Sequence, residues 1–161
     1  MAVVVVAVFA ASLAGFEWHR AHRAMAQLSE ARASDDARNA AGSVAAAEAV
    51  ALFTYDYRDL AATQAKIASL ATGSFAQRDA SGNAAVQRQL LAAKAIGSAI
   101  VTDESISEPS ADHAAALVVL TTKAASNGSA PTAATVYVNL DLQLVNNNWK
   151  VDEVQTLKPA S

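Results

Sequence analysis

Thr135–Val145, which reads TVYVNLDLQLV, is the stretch that decides the fold. Apolar and polar side chains alternate along its whole length. One face carries the apolar residues Val136, Val138, Leu140, Leu142 and Leu144, and the other carries the polar residues Tyr137, Asn139, Asp141 and Gln143. Such alternation predicts a β-strand with one buried face. The polar face is then open to solvent or to a partner, and its residues are candidates for partner binding.

The segments on either side of this strand repeat the two-residue period. Trp149–Leu157 follows a turn of three asparagines, and Trp149 is expected to face the core. Upstream, Ala114–Lys123 and Ala99–Ser107 are predicted as two further strands. The sequence therefore predicts a meander of about four antiparallel strands.

Before Gly97 the apolar residues recur with helical spacing. One stripe, with steps of three or four, consists of Ala46, Val50, Phe53, Tyr57 and Leu60. Two more helices are predicted over Leu60–Leu70 and Ala84–Ile96. Helices followed by strands indicate an α+β fold, here a cone-shaped roll of two to three helices packed on a curved antiparallel sheet.

The motif LFTYDYRDL, which begins at Leu52, lies where the first two helices meet. Its second aspartate is predicted to cap the second helix, and a glycine in ATGSF is predicted to end that helix in the left-handed conformation. The phenylalanine of ATGSF can fold back on that end. The predicted structural junctions are therefore Tyr57, Asp59, Gly73, Phe75 and Trp149.

The same motif also contains the groups of an isomerase-like site, in which an aspartate base and tyrosine donors surround a ligand. Tyr57 falls on the buried stripe, whereas Asp56 lies about 100° further round the helix and faces solvent. The later strands place no second acid on their apolar face. A structural role for the motif is therefore favoured, and no catalytic, cofactor-binding or metal-binding residue is assigned.

The first sixteen residues carry no charge. As a helix, residues 1–18 would span about 27 Å, close to the hydrocarbon thickness of a bilayer. Residues 1–18 are predicted as a transmembrane anchor, residues 19–40 as a solvated helical stalk, and residues 41–161 as the cone-shaped domain. A cleaved signal peptide ending near Ser12–Ala14 is the alternative, but no basic residue precedes the apolar run.

Small residues recur every four positions in the predicted anchor, at Ala7, Ala11 and Gly15. This spacing lets membrane helices approach closely and predicts a partner contact in the bilayer. His19 and His22 could share a metal with Glu17, but anchoring at the membrane interface is the favoured interpretation.

Composition excludes several classes of function. The formal net charge is −3, so the chain lacks the basic surface of nucleic-acid binders. It contains no cysteine, which excludes disulfides, thiol nucleophiles and zinc held by cysteine.

The motifs resemble those of a known family. The alanine-rich helix ending in LFTYDYRDL, the downstream ATGSF and the closing VNNNWKVDEV are similar to actinobacterial Mce-associated membrane proteins, which belong with mammalian cell entry lipid-import systems. The order of elements resembles the cone-shaped fold of nuclear transport factor 2 and ketosteroid isomerase. It is also similar to the periplasmic domain of type IV secretion assembly factors.

The resemblance implies a non-enzymatic accessory or scaffold subunit of a lipid-transport complex. It implies a single-pass protein of the inner (plasma) membrane, with the carboxyl-terminal domain outside the cytoplasm. Arg20 and Arg23 argue for the opposite orientation, because basic flanks favour the cytoplasmic side. The expected partners are the bilayer and other subunits, with a homo-oligomer as a further option. The alternative is a lipid-binding or sterol-binding module, or an isomerase-like enzyme, that uses a pocket near Phe53 and Tyr57.

Overall fold

The computed structural model describes residues 2–107, 110 and 112–157, with side chains for residues 25–80, 83–107, 110 and 112–157. The chain divides into two compact units, Met1–Asp36 and Ala37–Ser161. The first helix, α1, covers Ala2–Phe53 and contributes to both units.

In the first unit, α1 is helical through residues 2–36, and Met25 and Leu28 are exposed. The predicted anchor, the small residues Ala7, Ala11 and Gly15, and the histidines His19 and His22 all lie outside the residues with described side chains. Among the described residues, no helix combines the length and the apolar character needed to span a bilayer.

The second unit contains the carboxyl-terminal part of α1 and all the remaining elements. In chain order they are β1 (Tyr55–Asp56), α2 (Leu60–Leu70), α3 (Gly73–Ala92), β2 (Ile96–Ile106), β3 (His113–Ala125), β4 (Thr132–Val145) and β5 (Asn148–Leu157). The strands form one curled antiparallel sheet in the order β1-β2-β3-β4-β5. The α+β class and the meander are confirmed. The sheet has a fifth strand, because the short β1 pairs with the start of β2.

The core lies between α1 and one face of the sheet. Alanines 41, 45 and 49 of α1 are fully buried and pack with Val118, Leu120, Val138, Leu140 and Val151 from the strands. The alternation predicted for β4 is confirmed, since Val138, Leu140 and Leu142 are buried while Asp141 is exposed. Small alanine side chains let the helix backbone lie close to the sheet, so the core is built on a close contact between α1 and the strands.

The strands are longer than the sequence predicts. β2 begins at Ile96 rather than Ala99, and β4 begins at Thr132 rather than Thr135. The register is irregular at Thr102 of β2 and at Asp152 of β5, each of which is skipped in the pairing with the neighbouring strand. Such bulges bend strands and increase their twist, which helps the sheet to curl.

The helical stripe predicted through Tyr57 and Leu60 is wrong beyond Phe53, where α1 ends. Tyr55 instead pairs with Gly97 in the sheet, and the backbone N–H of Tyr57 donates to the carbonyl of Ala95 over 3.0 Å. A Cβ at Gly97 would lie 2.5 Å from the Tyr55 ring. Because Gly97 has no Cβ, the Tyr55 ring can lie across β2. The pairing of Tyr55 with this distant residue therefore outweighs the helical spacing of the apolar residues.

The prediction for Gly73 is also wrong. This residue is the first of α3, and Thr72 caps that helix by accepting a hydrogen bond from the Phe75 backbone N–H over 3.2 Å. Phe75 is therefore in the first turn of α3, and its predicted contact with the end of α2 stays a prediction. The predicted third helix, Ala84–Ile96, corresponds to α3, which starts at Gly73 and ends at Ala92. It ends before Ile96 because Lys94 adopts a φ of 46° and turns the chain into β2.

Candidate functional site

A cavity of about 320 Å³ lies among α1, α2, α3 and β1. Most of its wall is apolar. The lining residues are Leu52, Phe53, Tyr55, Leu60, Thr63, Gln64, Ile67, Asp79, Asn83, Val86, Gln87 and Leu90. Its volume is at the lower end of the range for small-molecule sites, which runs from about 300 to about 1,000 Å³. Phe53 of α1 lines this cavity and also packs against the core between α1 and the sheet.

Three polar side chains form a hydrogen-bonded cluster in this wall. The Gln64 amide Nε2 donates to Asp79 Oδ2 over 2.6 Å. The Asn83 amide Nδ2 donates to Gln64 Oε1 over 3.1 Å and to the two oxygens of Asp79 over 3.2 and 3.1 Å. The cluster joins α2 to α3 and holds the Asp79 carboxylate at the cavity surface.

Glu48 of α1 is a second carboxyl group close to this cluster. Its side chain is fully buried, and no protein group in the described chain hydrogen-bonds to either carboxyl oxygen. Burial, followed by repulsion from Asp79, raises the pKa of Glu48 to about 8, while Lys66 and Lys150 act in the opposite direction. Glu48 is therefore mostly protonated at neutral pH. It lies one helical turn before Leu52, on the same face of α1 as that lining residue.

Sequence reasoning missed both Glu48 and Asp79. Glu48 could have been found, because it is a lone charged residue in the alanine run, one helical turn before Leu52. Asp79 gave no such signal, since its neighbours are polar and the extent of α3 was not recognised. Asp79 lines the cavity and interacts with the buried, mostly neutral Glu48, and such a pair can donate and accept protons or hold a cation.

The predicted isomerase-like residues do not form this site. Phe53 lines the cavity, but Tyr57 does not. The Arg58 side chain and backbone N–H both donate to the Asp56 carboxylate, and these hydrogen bonds lower the pKa of Asp56 to about 2. A carboxylate with so low a pKa is a poor general base, because bases work best with a pKa near the working pH.

The junction residues are placed by three local contacts. Asp59 caps α2, as predicted, by accepting a hydrogen bond from the Ala62 backbone N–H over 3.1 Å. Trp149 is 8% exposed and belongs to the core cluster. Thr72 Oγ1 donates to Asp152 Oδ1 over 2.7 Å, and its backbone N–H donates to the Val151 carbonyl over 2.7 Å. The hydrogen bonds of Thr72, in the motif ATGSF, therefore attach the start of α3 to β5.

The face of β4 opposite the core is partly covered by its neighbours. Tyr137, Asn139 and Gln143 are half-buried, and Asp141 is exposed. Tyr137 pairs with Val119 of β3 and with Leu157 of β5, so the three side chains share this face. It thus carries apolar as well as polar groups, and its role in partner binding stays a prediction.

A second hollow, of about 330 Å³, contains Ser107, Ser110, His113 and Asp141. These residue types can form a hydrolytic triad, but the hydroxyls are engaged by backbone groups. Ser107 Oγ accepts from the Ala115 N–H over 3.0 Å, and Ser110 Oγ donates to the His113 carbonyl over 3.2 Å. Neither hydroxyl is arranged as a nucleophile beside a base. Within the described residues, no three acidic or histidine side chains are grouped as a metal site.

Comparison with protein-family profiles and with curated proteins finds no match to this chain. Solved structures do match. An IcmL-like type IV secretion system protein from Legionella pneumophila has a TM-score of 0.61 and 15% identity, over 74% of this chain and 93% of that one. CagV, a VirB8 homolog from the type IV secretion system of Helicobacter pylori, has a TM-score of 0.60 and 15% identity, over 74% and 97%.

The periplasmic domain of DotI matches with a TM-score of 0.58 and 16% identity, over 74% of this chain and 93% of that domain. Identities this low demonstrate a common fold and nothing further. The cone-shaped fold expected from the sequence is confirmed. Over 74% of its length, the chain therefore has the α+β fold of these type IV secretion proteins.

Proposed function

We propose that the chain is a non-enzymatic scaffold subunit of a membrane-associated protein complex, with its cone-shaped domain outside the cytoplasm. The observation that carries this proposal is the fold shared with proteins of type IV secretion systems, one of them a periplasmic domain. The match covers 90% or more of each of those chains, so it concerns a whole domain. The low pKa of Asp56 also supports a structural role for its motif.

A finer proposal concerns the kind of complex. The motifs LFTYDYRDL, ATGSF and VNNNWKVDEV support an accessory role in an Mce lipid-transport system, since they are similar to Mce-associated membrane proteins. The three matching structures described above are secretion-system proteins, so this assignment rests on the sequence motifs alone. A transmembrane anchor in residues 1–18, with its small-residue stripe, belongs to the same proposal.

The proposed docking surface is the outer face of the sheet around Tyr137, Asn139, Asp141 and Gln143. Apolar neighbours on adjacent strands give that face a mixed character, which is typical of surfaces that bind other proteins. Ile100, also on this side of the sheet by its pairing with Thr121, is 63% exposed.

Purification of the full chain from native membranes in mild detergent tests the scaffold proposal. The expected result is co-purification with subunits of a membrane complex. Permease and tube-forming subunits would support an Mce transporter, and secretion-system subunits would support the broader proposal alone. Recovery of the chain by itself at native expression levels would contradict both.

Tyr137→Lys is the matched test of the docking surface. It adds a charge to the outer face without touching the core, so we expect the complex to be lost while the unfolding midpoint stays near wild type. Gln89→Lys, on an exposed position of α3, serves as the control and should leave the complex intact. Retention of the complex by Tyr137→Lys would place docking elsewhere.

A ligand-binding module is a second candidate function, and the cavity among the helices favours it. The cavity is largely apolar and contains few, clustered polar groups, which is the usual composition of small-molecule sites. Asp56→Asn separates this candidate from the isomerase-like site expected near Tyr57. The substitution should leave both assembly and ligand binding unchanged, because Asp56 does not line the cavity.

A further inference from the structure

The charges around the cavity are unevenly distributed. Among the described residues that line it, Asp79 alone carries a formal charge, and that charge is negative. The groups that donate hydrogen bonds to Asp79 in the described chain are both uncharged amides, from Gln64 and Asn83. The two amides therefore hold the Asp79 carboxylate in position, but they carry no positive charge that would balance its negative charge.

Most of the remaining wall of the same cavity is apolar. Phe53 and Tyr55 supply aromatic rings, and Leu60, Val86 and Leu90 supply aliphatic surface. Aromatic faces attract cations and exclude anions, because the ring quadrupole places negative charge on the face. An apolar ligand body would fill the remaining volume.

We infer that this cavity binds a small amphipathic cation, a protonated amine attached to an apolar body, with the ammonium group on Asp79. The inference rests on the second candidate function and identifies its ligand class. It is independent of the scaffold proposal. A neutral lipid would offer the Asp79 charge no cation to pair with, and an anion would be repelled by it.

Glu48 supplies a second observation. It is fully buried, lacks a hydrogen-bond partner in the described chain and interacts with Asp79. The described groups that act on it from the packed elements are Asp79 of α3, Lys66 of α2 and Lys150 of β5. A cation bound to Asp79 offsets the repulsion between the two carboxyl groups, so its binding lowers the pKa of Glu48 and releases a proton near neutral to mildly basic pH.

Binding is measured on the full chain in nanodiscs of neutral lipid, with empty nanodiscs as the blank. Three probes of similar size are compared: 2-phenylethylamine, 2-phenylethanol and 3-phenylpropionate. We expect only the amine to bind at low millimolar concentration. Methyl resonances of Leu52, Leu60, Val86 and Leu90 should shift, while those of core residues in the sheet should not.

Asp79→Asn is the informative variant, because asparagine keeps the size of the side chain and an oxygen that accepts hydrogen bonds. It should weaken amine binding by about tenfold or more, since a charged hydrogen bond is replaced by a neutral one. Asp103→Asn, on exposed β2, is the control and should bind like wild type. Glu48→Gln should abolish the proton release seen by calorimetry in buffers of different ionisation enthalpy.

Two results would overturn the inference in different ways. If the alcohol or the acid binds as well as the amine, or if Asp79→Asn binds the amine unchanged, the ligand class is wrong while the ligand-binding function survives. If no probe shifts the cavity resonances, both the ligand class and the second candidate function fail. Unfolding midpoints near wild type for the variants show that a loss of binding is not a loss of fold.

Discussion

Among single side chains, Glu48 has the clearest expected effect on stability. Its pKa rises from 4.5 to about 8 on folding, so between these values the folded chain holds a proton that the unfolded chain has lost. The free energy of unfolding should therefore fall as pH rises through this window, by up to about 1.4 kcal/mol per pH unit. Urea denaturation of the full chain at a series of pH values measures the slope.

Glu48→Gln should flatten that slope, because glutamine has no proton to lose. Glu153→Gln, on the exposed part of β5, is the matched control and should keep the wild-type pH dependence. An unchanged slope in Glu48→Gln would show that another group controls the pH dependence.

Gly97 gives a second prediction at the residue scale. In Gly97→Ala, the new Cβ would meet the Tyr55 ring at 2.5 Å and the Phe53 carbonyl at 3.0 Å, so Tyr55 must move. We expect a loss of about 1–3 kcal/mol in the free energy of unfolding, the usual cost of overpacking. Gly73→Ala is the control, because nothing lies within 4 Å of its added Cβ, and it should be close to neutral. Equal effects of the two substitutions would contradict the steric account.

At the scale of elements, the link between α3 and β5 is the testable feature. Asp152 accepts hydrogen bonds from Thr72 Oγ1 and Ser74 Oγ over 2.7 and 3.1 Å, and Arg78 donates to its carbonyl over 2.7 Å. Thr72→Val and Asp152→Ala should each cost about 1 kcal/mol or more, as does the loss of a helix cap. In a double-mutant cycle the two should be non-additive by at least about 0.5 kcal/mol.

The reference for that cycle is Asp59→Ala, which removes the amino-terminal cap of α2, a different helix end from the one that Thr72 caps. Combined with Asp152→Ala, it should give an additive loss, because the two sites share no partner. Additivity between Thr72→Val and Asp152→Ala would mean that their hydrogen bond contributes nothing to the docking of α3.

Elements with a strong local signal were predictable and the connections between them were not. Leu60–Leu70 was predicted with its observed bounds, because Asp59 is a favourable cap and the apolar spacing is regular. The error at Tyr57 arose because Tyr55 belongs to a strand whose partner, Gly97, is far away in the sequence. The error at Gly73 arose because a glycine after Thr72 suits a helix end, whereas Asp152 makes Thr72 the start of the next helix.

At the scale of the whole molecule, the second unit should fold without the first. Its core cluster lies entirely within residues 41–151, and residues 37–161 form one compact unit by themselves. A shortened chain of residues 37–161 should unfold cooperatively in urea and bind 2-phenylethylamine like the full chain. A broad, non-cooperative transition would show that the amino-terminal residues are needed for folding.

The fold class was predictable because the change from helical to strand spacing is abrupt at Gly97 and holds to the end of the chain. The candidate site was not predictable in the same way. It requires Gln64 of α2 to meet Asp79 and Asn83 of α3, with Glu48 of α1 near enough to interact with the Asp79 charge. This packing depends on where α3 begins. Local spacing carries no information on such an assembly.

The bond between Thr72 and Asp152 joins residues 80 positions apart, one in the helical half and one in the last strand. During synthesis at about 5–20 residues per second, roughly 4–16 s separate the emergence of the two residues. For that interval α3 lacks the β5 residue that holds its start, and its apolar side stays available to chaperones or to the export machinery. Maturation therefore waits for β5, and a ribosome that stops before Asp152 would release a product in which this hydrogen bond cannot hold α3.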